Sequence, residues 1–247
     1  MKRSRHIRSA FLAVLPALLP AAQSYADASN HPGHGLPLFW GLGGEVDIAD
    51  TGMLARETGA LATWDTFAWL GDDDLKIRLE FEGDRLDSKA TNSEVRAFLS
   101  WNIAEFWDLE TGARFDNAGG NNTWGLVALH GMLPYFLETT ASVFVSGTGD
   151  VALRIKHSMD FAVTQDIFIS PHAELNAYLR DIPEYEVGAG VSDLEAGLQV
   201  RYEITRKFAP YIDVVYEREL GETSVIKQAL GEDPERATVR AGLKFRF

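Results

Sequence analysis

The chain has 247 residues, of which 36 are acidic and 23 basic, and its formal charge is −13. Hydrophobic residues make up 46% and aromatic residues 11% of the sequence, which is too apolar for a disordered protein. Since cysteine is absent, disulfides, thiolate metal sites and cysteine nucleophiles are excluded. The acidic balance argues against nucleic acid as a partner, because phosphate binding needs a basic surface.

The first 26 residues predict a cleaved export signal. Four basic residues within the first eight precede the apolar stretch 11–22, and small residues lead up to Ala26. The alternative, a membrane anchor, is disfavoured because about 12 apolar residues interrupted by Pro16 and Pro20 cannot cross roughly 30 Å of hydrocarbon. Cleavage after Ala26 would leave 19 basic and 36 acidic residues, a charge of −17 over 221 residues.

Residues 27–37 are rich in Gly, Pro and His without periodicity, which predicts a flexible arm. From residue 38 to residue 247, apolar and polar residues alternate with a period of two, as in strands with one apolar face. Residues 75–82 show this most clearly, because four apolar side chains alternate there with four charged ones. The predicted strands lie near residues 39–50, 58–70, 73–84, 93–104, 106–117, 122–134, 136–147, 150–161, 165–179, 190–204, 208–219 and 236–247.

Twelve strands joined by mostly short turns predict an antiparallel meander. Strands of about ten residues match the length needed to cross a bilayer at a tilt, whereas strands of soluble sandwiches are usually shorter. The charged faces suit a wet lumen, and Trp and Tyr near the strand ends suit the aromatic belts of outer-membrane barrels. We therefore expect an all-β fold, a twelve-stranded transmembrane barrel in the bacterial outer membrane with lipid around it. A soluble sandwich is the alternative.

The run from Gly188 to Glu203 (GAGVSDLEAGLQVRYE) is the longest of several segments in which the chain resembles the copper resistance protein B family. This resemblance covers roughly residues 36–247. Phe247 closes an alternating strand, which resembles the C-terminal signature of outer-membrane barrels. Shorter matches in the same order are 131–135 (GMLPY), 164–165 (TQ), 174–176 (ELN), 208–211 (FAPY), 216–218 (YER) and 231–233 (GED).

This resemblance implies an outer-membrane barrel that binds or moves copper ions, Cu(I) or Cu(II), in copper resistance. It also suggests a periplasmic multicopper oxidase as a partner. Many family members carry a long segment rich in Met and His before the barrel. In this chain that segment is reduced to His31 and His34, with no Met between Ala26 and Met53.

Six residues are candidate metal ligands. His31 and His34 lie in the arm, where imidazole nitrogens suit copper, although an ordinary polar tail is the alternative. His130 and Met132 share one face of a predicted strand, and the apolar Val127, Leu129 and Leu133 on its opposite face favour an inward orientation of the pair. His172 and Glu174 share the polar face of another predicted strand. His157 and Met159 form a similar pair, but alternation places them on the lipid-facing side.

Charged side chains of both signs are predicted to face the lumen on most strands. They would either plug a small barrel through salt bridges or provide a path for cations. An enzyme such as an outer-membrane phospholipase is disfavoured, because His157 and Ser158 are adjacent and point to opposite faces of their strand. The sequence thus predicts a copper-handling barrel, with a general pore or structural envelope protein as the alternative.

Overall fold

The computed structural model describes residues 38–50, 59–86, 92–117 and 122–247. The predicted signal and arm, residues 1–26 and 27–37, lie outside this part of the chain. The described strands are β1 (Phe39–Asp50), β2 (Ala60–Gly71), β3 (Leu75–Leu86), β4 (Asn92–Ala104), β5 (Trp107–Asp116), β6 (Asn122–Leu133), β7 (Leu137–Ser146), β8 (Val151–Ser158), β9 (Phe161–Ala162), β10 (Ile167–Tyr178), β11 (Gly190–Tyr202), β12 (Phe208–Glu219) and β13 (Glu235–Arg246).

Each strand pairs antiparallel with its neighbours in chain order, and β13 pairs with β1 to close the barrel. Phe247 and Leu42 exchange two backbone hydrogen bonds of 2.7 and 3.0 Å, which brings both ends of the described barrel to one rim. We call this rim the terminal end and the opposite rim the far end. The predicted twelve-stranded closed antiparallel barrel is confirmed.

The short strand β9 continues β8 rather than adding a thirteenth position around the barrel. Both pair with β10 in one unbroken register, Ser158 opposite His172 and Phe161 opposite Ile169. The two intervening residues, Met159 and Asp160, lie opposite Pro171 and Ser170, and Pro171 has no backbone N–H to donate to the ladder. The predicted strand 150–161 is therefore a single strand position interrupted where its partner contains proline.

The alternation in sequence sorts the side chains as predicted. On β3, Arg78 and Glu80 face the lumen and pair with each other at 2.9 Å, whereas Ile77 is 53% exposed on the outer surface. On β8, Arg154 and Lys156 form ion pairs within the lumen. The outer surface is therefore largely apolar and the lumen largely charged, which is the inverse of a soluble protein.

The segment between the last two strands contains a helix, α1 (Gly221–Ala229), where the sequence predicts only a connection between strands 208–219 and 236–247. Tertiary contacts hold this helix in place at the far end. The backbone N–H of Gly188 donates to Thr223 Oγ1 at 3.0 Å, and Lys227 Nζ lies 2.6 Å from Glu186 Oε2. Within the described ranges, no helix has the length and apolar character to span a membrane.

A small apolar core fills part of the lumen near the far end. The loop 179–189, between β10 and β11, folds against this core, and its Ile182 is only 4% exposed. Tyr185 donates a hydrogen bond of 2.6 Å to Asp116 Oδ1 and accepts one of 3.1 Å from Trp124 Nε1. Burial and the hydrogen bond to Asp116 raise the pKa of Tyr185, which keeps its hydroxyl protonated as a donor. The buried core consists of Phe98, Trp124, Leu126, Ala128, Phe144, Ala152 and Ile182.

Candidate functional site

The lumen holds a cavity of about 1160 Å³ that is lined by residues from both ends of the barrel. Met132 and Lys244 line it near the terminal end, and Asp84 and Asp233 line it near the far end. Its lining contains eighteen acidic and nine basic side chains. This excess of carboxylates concentrates cations and repels anions.

One side of the lumen is dominated by compensated charges, which we call the paired cluster. Arg154 Nη1 lies 3.0 Å from Glu94 Oε1, and Lys156 Nζ lies 3.0 Å from both Glu82 and Glu174. Cations from three strands thereby neutralise carboxylates that would otherwise repel one another. The paired cluster consists of Glu80, Glu82, Glu94, Arg96, Arg114, Arg154, Lys156 and Glu174.

The other side of the lumen is less compensated, and we call it the acidic wall. It comprises Glu45 and Asp47 on β1, Asp65 on β2, Glu195 on β11 and Asp213 on β12, all lining the cavity. Glu45 pairs with Lys244 at 2.6 Å, and Glu195 lies 3.7 Å from Arg240.

Three carboxylates of the acidic wall have no ion pair with an arginine or a lysine among the described residues. Asp47 accepts hydrogen bonds from Tyr211 at 2.8 Å and from Thr63 at 2.6 Å. Asp65 is exposed to the cavity, and Asp213 Oδ1 is buried without a hydrogen-bond donor. The acidic wall therefore offers a cation more uncompensated negative charge than the paired cluster does.

An ion pair at the terminal end joins the break between β8 and β9 to strand β11. Asp160, between β8 and β9, accepts two hydrogen bonds of 2.7 Å from the guanidinium of Arg201 and one of 2.6 Å from Ser170. The Arg201 hydrogen bonds lower the pKa of Asp160 to about 2. The carboxylate is therefore ionised at any physiological pH.

His130 and Met132 both line the cavity near the terminal end, which confirms their predicted inward orientation. His130 Nδ1 lies 2.9 Å from Thr140 Oγ1, and its Nε2 lies 3.6 Å from Glu138 Oε1. The Met132 side chain is 40% exposed. Together with Glu138, these two residues bring an imidazole, a thioether and a carboxylate to one mouth of the lumen.

His172 and Glu174 also face the lumen, as predicted, but their surroundings differ. Both Glu174 oxygens are engaged by the paired cluster, at 3.1 Å from Arg154 and 3.0 Å from Lys156. His172 instead faces the acidic wall, with Nε2 at 3.6 Å from Asp213 Oδ2 and 4.0 Å from Glu195 Oε1. The two side chains are neighbours on one face of β10, but Glu174 belongs to the paired cluster and His172 borders the acidic wall.

His157 shares the outward face of β8 with Leu153 and Ile155, but it also lines the cavity near the terminal end. Its Nδ1 lies 2.9 Å from Thr139 Oγ1. His31 and His34 lie outside the described residues. Among the residues that the structure describes, no three His, Asp or Glu side chains are arranged so that they could hold a metal ion.

Sequence reasoning missed two features of the lumen. The prediction that charged side chains face the lumen covers Asp213 on β12. It gave no reason to expect that the Asp213 carboxylate lacks a hydrogen-bond donor. It also missed the apolar core around Phe144, because phenylalanine on a polar face breaks the alternation on which the prediction was based. The available signal was a large apolar residue at an inward position. Such residues pack against one another and fill the space between facing strands.

Solved porin structures resemble this barrel. The NanC porin matches with a TM-score of 0.52 and 13% identity, covering 84% of this chain and 99% of that structure. The KdgM porin matches with a TM-score of 0.50 and 13% identity over the same shares. At this level of identity the likeness shows a shared fold.

Sequence comparison identifies the family. The model of the copper resistance protein B precursor matches residues 50–247. A copper resistance protein B homolog of Pseudomonas syringae pv. tomato (strain ATCC BAA-871 / DC3000) is 35% identical over 194 residues, which are 78% of this chain and 66% of the relative. Copper resistance protein B of Escherichia coli is 33% identical over 186 residues, 75% of this chain and 63% of the relative. The chain thus spans just under two thirds of the length of these relatives, and it belongs to the copper resistance protein B family.

Proposed function

We propose that this protein is an outer-membrane barrel that contributes to copper resistance by binding copper ions and moving them through its lumen. The observation that carries the proposal is the cavity lining, with eighteen acidic against nine basic side chains, in a chain of this family. Copper ions are cations, and carboxylate-lined pores raise the local concentration of cations. The apolar outer surface supports a location in the lipid of the outer membrane.

The N-terminal residues complete this proposal. We propose that a signal ending at Ala26 directs export and that residues 27–37 form an arm before the barrel. His31 and His34 of this arm would bind copper as it approaches the terminal end, where residue 38 begins the described chain. His130 and Met132 would then meet the ion at the terminal mouth, and His172 and Glu174 would do so deeper in the lumen.

The proposed role involves binding and passage rather than catalysis. The name of the family and the porin-like fold both support a non-enzymatic protein. A periplasmic multicopper oxidase remains the partner that we would test first, because the resemblance to the family suggests it.

A general pore without metal preference is the second candidate function, and the likeness to porins favours it. One of these structures holds the KdgM porin with oligogalacturonate, which is an acidic sugar chain. The carboxylate excess of the present lumen would repel such an anion. A general pore in this protein would therefore favour cations or neutral solutes.

The deciding experiment compares cells that lack the gene with cells complemented by wild type or by His31→Ala/His34→Ala. Growth and cell-associated copper are measured across a copper series, with a zinc series as the control. A copper-specific defect that only wild type restores would place the function in the arm, and restoration by both would place it in the lumen. Equal responses to copper and zinc, or no response, would contradict the copper proposal and favour the general pore.

A further inference from the structure

The imidazole of His172 on β10 and the carboxylate of Asp213 on β12 approach each other over the lumen-facing surface of β11, the strand between them. Their closest atoms, Nε2 and Oδ2, are 3.6 Å apart, which is too long for a hydrogen bond. Two donors at this separation can share one cation, since transition metals bind histidine nitrogen and carboxylate oxygen at about 2.0 Å. The side chains are therefore spaced as ligands rather than as a hydrogen-bonded pair.

Asp213 lacks the partners that a buried carboxylate normally has. The residue is 5% exposed, and its Oδ1 has no hydrogen-bond donor in the described structure. Arg240 lies directly opposite Asp213 in the register of β12 and β13. Its guanidinium, however, pairs with Glu217 at 2.5 Å and with Glu195 at 3.7 Å. A buried carboxylate without a partner is costly unless a cation binds to it.

Gly197 provides the space that His172 occupies. It lies directly opposite His172 in the β10–β11 register. A Cβ atom at this position would overlap the imidazole at Nε2 and Cε1, the side of the ring that faces Asp213. The glycine therefore fixes where the imidazole lies, and any side chain there would move Nε2.

We propose that His172 and Asp213 form a binding site for a divalent transition-metal cation within the lumen, and that the Glu195 carboxylate adds negative charge beside it without coordinating the ion. Both residues line the cavity, and Glu195 Oε1 lies 4.0 Å from His172 Nε2. Nitrogen and carboxylate ligands suit Cu(II), whereas Cu(I) favours thioethers and thiolates. The inference rests on the proposed function and assigns it an oxidation state and a place.

The site offers two protein ligands rather than a complete coordination set. We therefore expect an ion to bind there transiently as it passes through the lumen. An ion in a pore must bind well enough to enter and weakly enough to leave. Water would fill the remaining positions, because the His172 side chain is 25% exposed to the cavity. Tight storage would instead need three or more preassembled ligands, which the described residues do not supply.

The test uses the full chain, purified from membranes in detergent, with His31→Ala/His34→Ala/His130→Ala as the background, so that neither the arm nor the terminal mouth can contribute a nitrogen ligand. Cu(II) is added, and binding is followed by titration and by electron paramagnetic resonance. We expect one Cu(II) signal with hyperfine structure from one imidazole nitrogen. His172→Gln should abolish the nitrogen coupling, and Asp213→Asn should weaken the affinity roughly tenfold.

Gly197→Ala is the sharpest variant, because it removes no ligand and yet displaces the imidazole. It should weaken Cu(II) binding severalfold, while Gly125→Ala, at a strand position where an added Cβ meets only the Val145 carbonyl oxygen at 3.7 Å, should leave it unaltered. Circular dichroism confirms that each variant keeps its strands. Nitrogen coupling that persists in His172→Gln, or a background protein that binds no Cu(II), would overturn the site. Copper sensitivity of the deletion strain would in that case still support the proposed function, so the two ideas fail separately.

Discussion

The two sides of the lumen differ in how their charges are compensated. The paired cluster holds four carboxylates and four basic groups within ion-pair distance, whereas the acidic wall has five carboxylates and mainly Arg240 and Lys244 to balance them. Both sides arise from the same alternation of polar and apolar residues. The difference lies in cross-strand register, which decides whether opposite or like charges become neighbours. One side is therefore held together by ion pairs, and the other presents uncompensated carboxylates to the cavity.

The largest expected effect comes from breaking the paired cluster. Arg154→Ala would leave Glu94 and Glu174 without one of their cations in a region where the Arg154 side chain is only 11% exposed. Removing one partner of a buried ion pair costs about 3 kcal/mol. We expect a loss of that size in the free energy of unfolding, measured by urea titration of the barrel in lipid vesicles.

Two matched variants sharpen this comparison. Arg218→Ala removes a half-exposed cation that lies 3.5 Å from Glu235, and it should change stability by less than about 0.5 kcal/mol. Asp213→Asn removes an unpartnered carboxylate from the acidic wall and should leave stability unchanged or increase it. Equal destabilisation by Arg154→Ala and Asp213→Asn would show that the two sides do not differ as we describe.

The next effect concerns the loop 179–189 at the far end. Tyr185→Phe removes the hydroxyl that donates to Asp116 and accepts from Trp124. Losing a buried hydrogen bond to a charged group costs about 1.4 kcal/mol, which is about a tenfold change in local opening. Hydrogen exchange at the Ile182 amide, which donates to Val187 at 2.9 Å, should accelerate by that factor.

Tyr216→Phe is the control for this change, because the Tyr216 hydroxyl meets Glu235 at 3.2 Å on an exposed part of β12 and β13. Its effect on exchange in the loop should be negligible. If both variants accelerate exchange at Ile182 equally, the Tyr185 contacts do not hold the loop.

The strands and their faces follow from the sequence, because each depends on a period of two within one segment. The bounds 39–50, 190–202 and 208–219 lie within two residues of those predicted. The ion pairs do not follow, because Arg154 finds Glu94 across sixty positions of the chain. The helix α1 was missed since nine residues without a strong apolar stripe owe their structure to contacts with Gly188 and Glu186.

The candidate site was predictable only in part. His172 and Glu174 were expected to act together because they share one face of β10, and both do face the lumen. Their separation into two environments depends on which strands lie on either side. β8 brings Lys156 to Glu174, and β11 brings Gly197 to His172. A pattern within one strand carries no information about these neighbours.

A smaller effect is expected from Asp65, the exposed carboxylate of the acidic wall on β2. One unit charge acting over about 10 Å of water contributes about 0.4 kcal/mol, or roughly a twofold change in relative ion occupancy. Asp65→Asn should therefore lower the cation-to-anion permeability ratio about twofold, measured as a shift of the reversal potential across a planar bilayer under a salt gradient. Asp74→Asn, in the turn between β2 and β3, serves as the control, and an equal shift there would remove Asp65 from the path.

The smallest effect is the pH dependence of the ion pair between Asp160 and Arg201. Arg201 lowers the pKa of Asp160 from 3.8 to about 2, so the folded barrel binds this proton less readily than the unfolded chain. The stabilisation is therefore fully present above about pH 4 and is lost as the pH falls towards 2. The side chain of Asp160 is 54% exposed, so solvent screening keeps the contribution small. Melting temperatures of wild type and Asp160→Asn should differ at pH 6 and converge near pH 2. A difference that persists unchanged to pH 2 would mean that Asp160 stabilises the terminal end through its shape and hydrogen bonds rather than its charge.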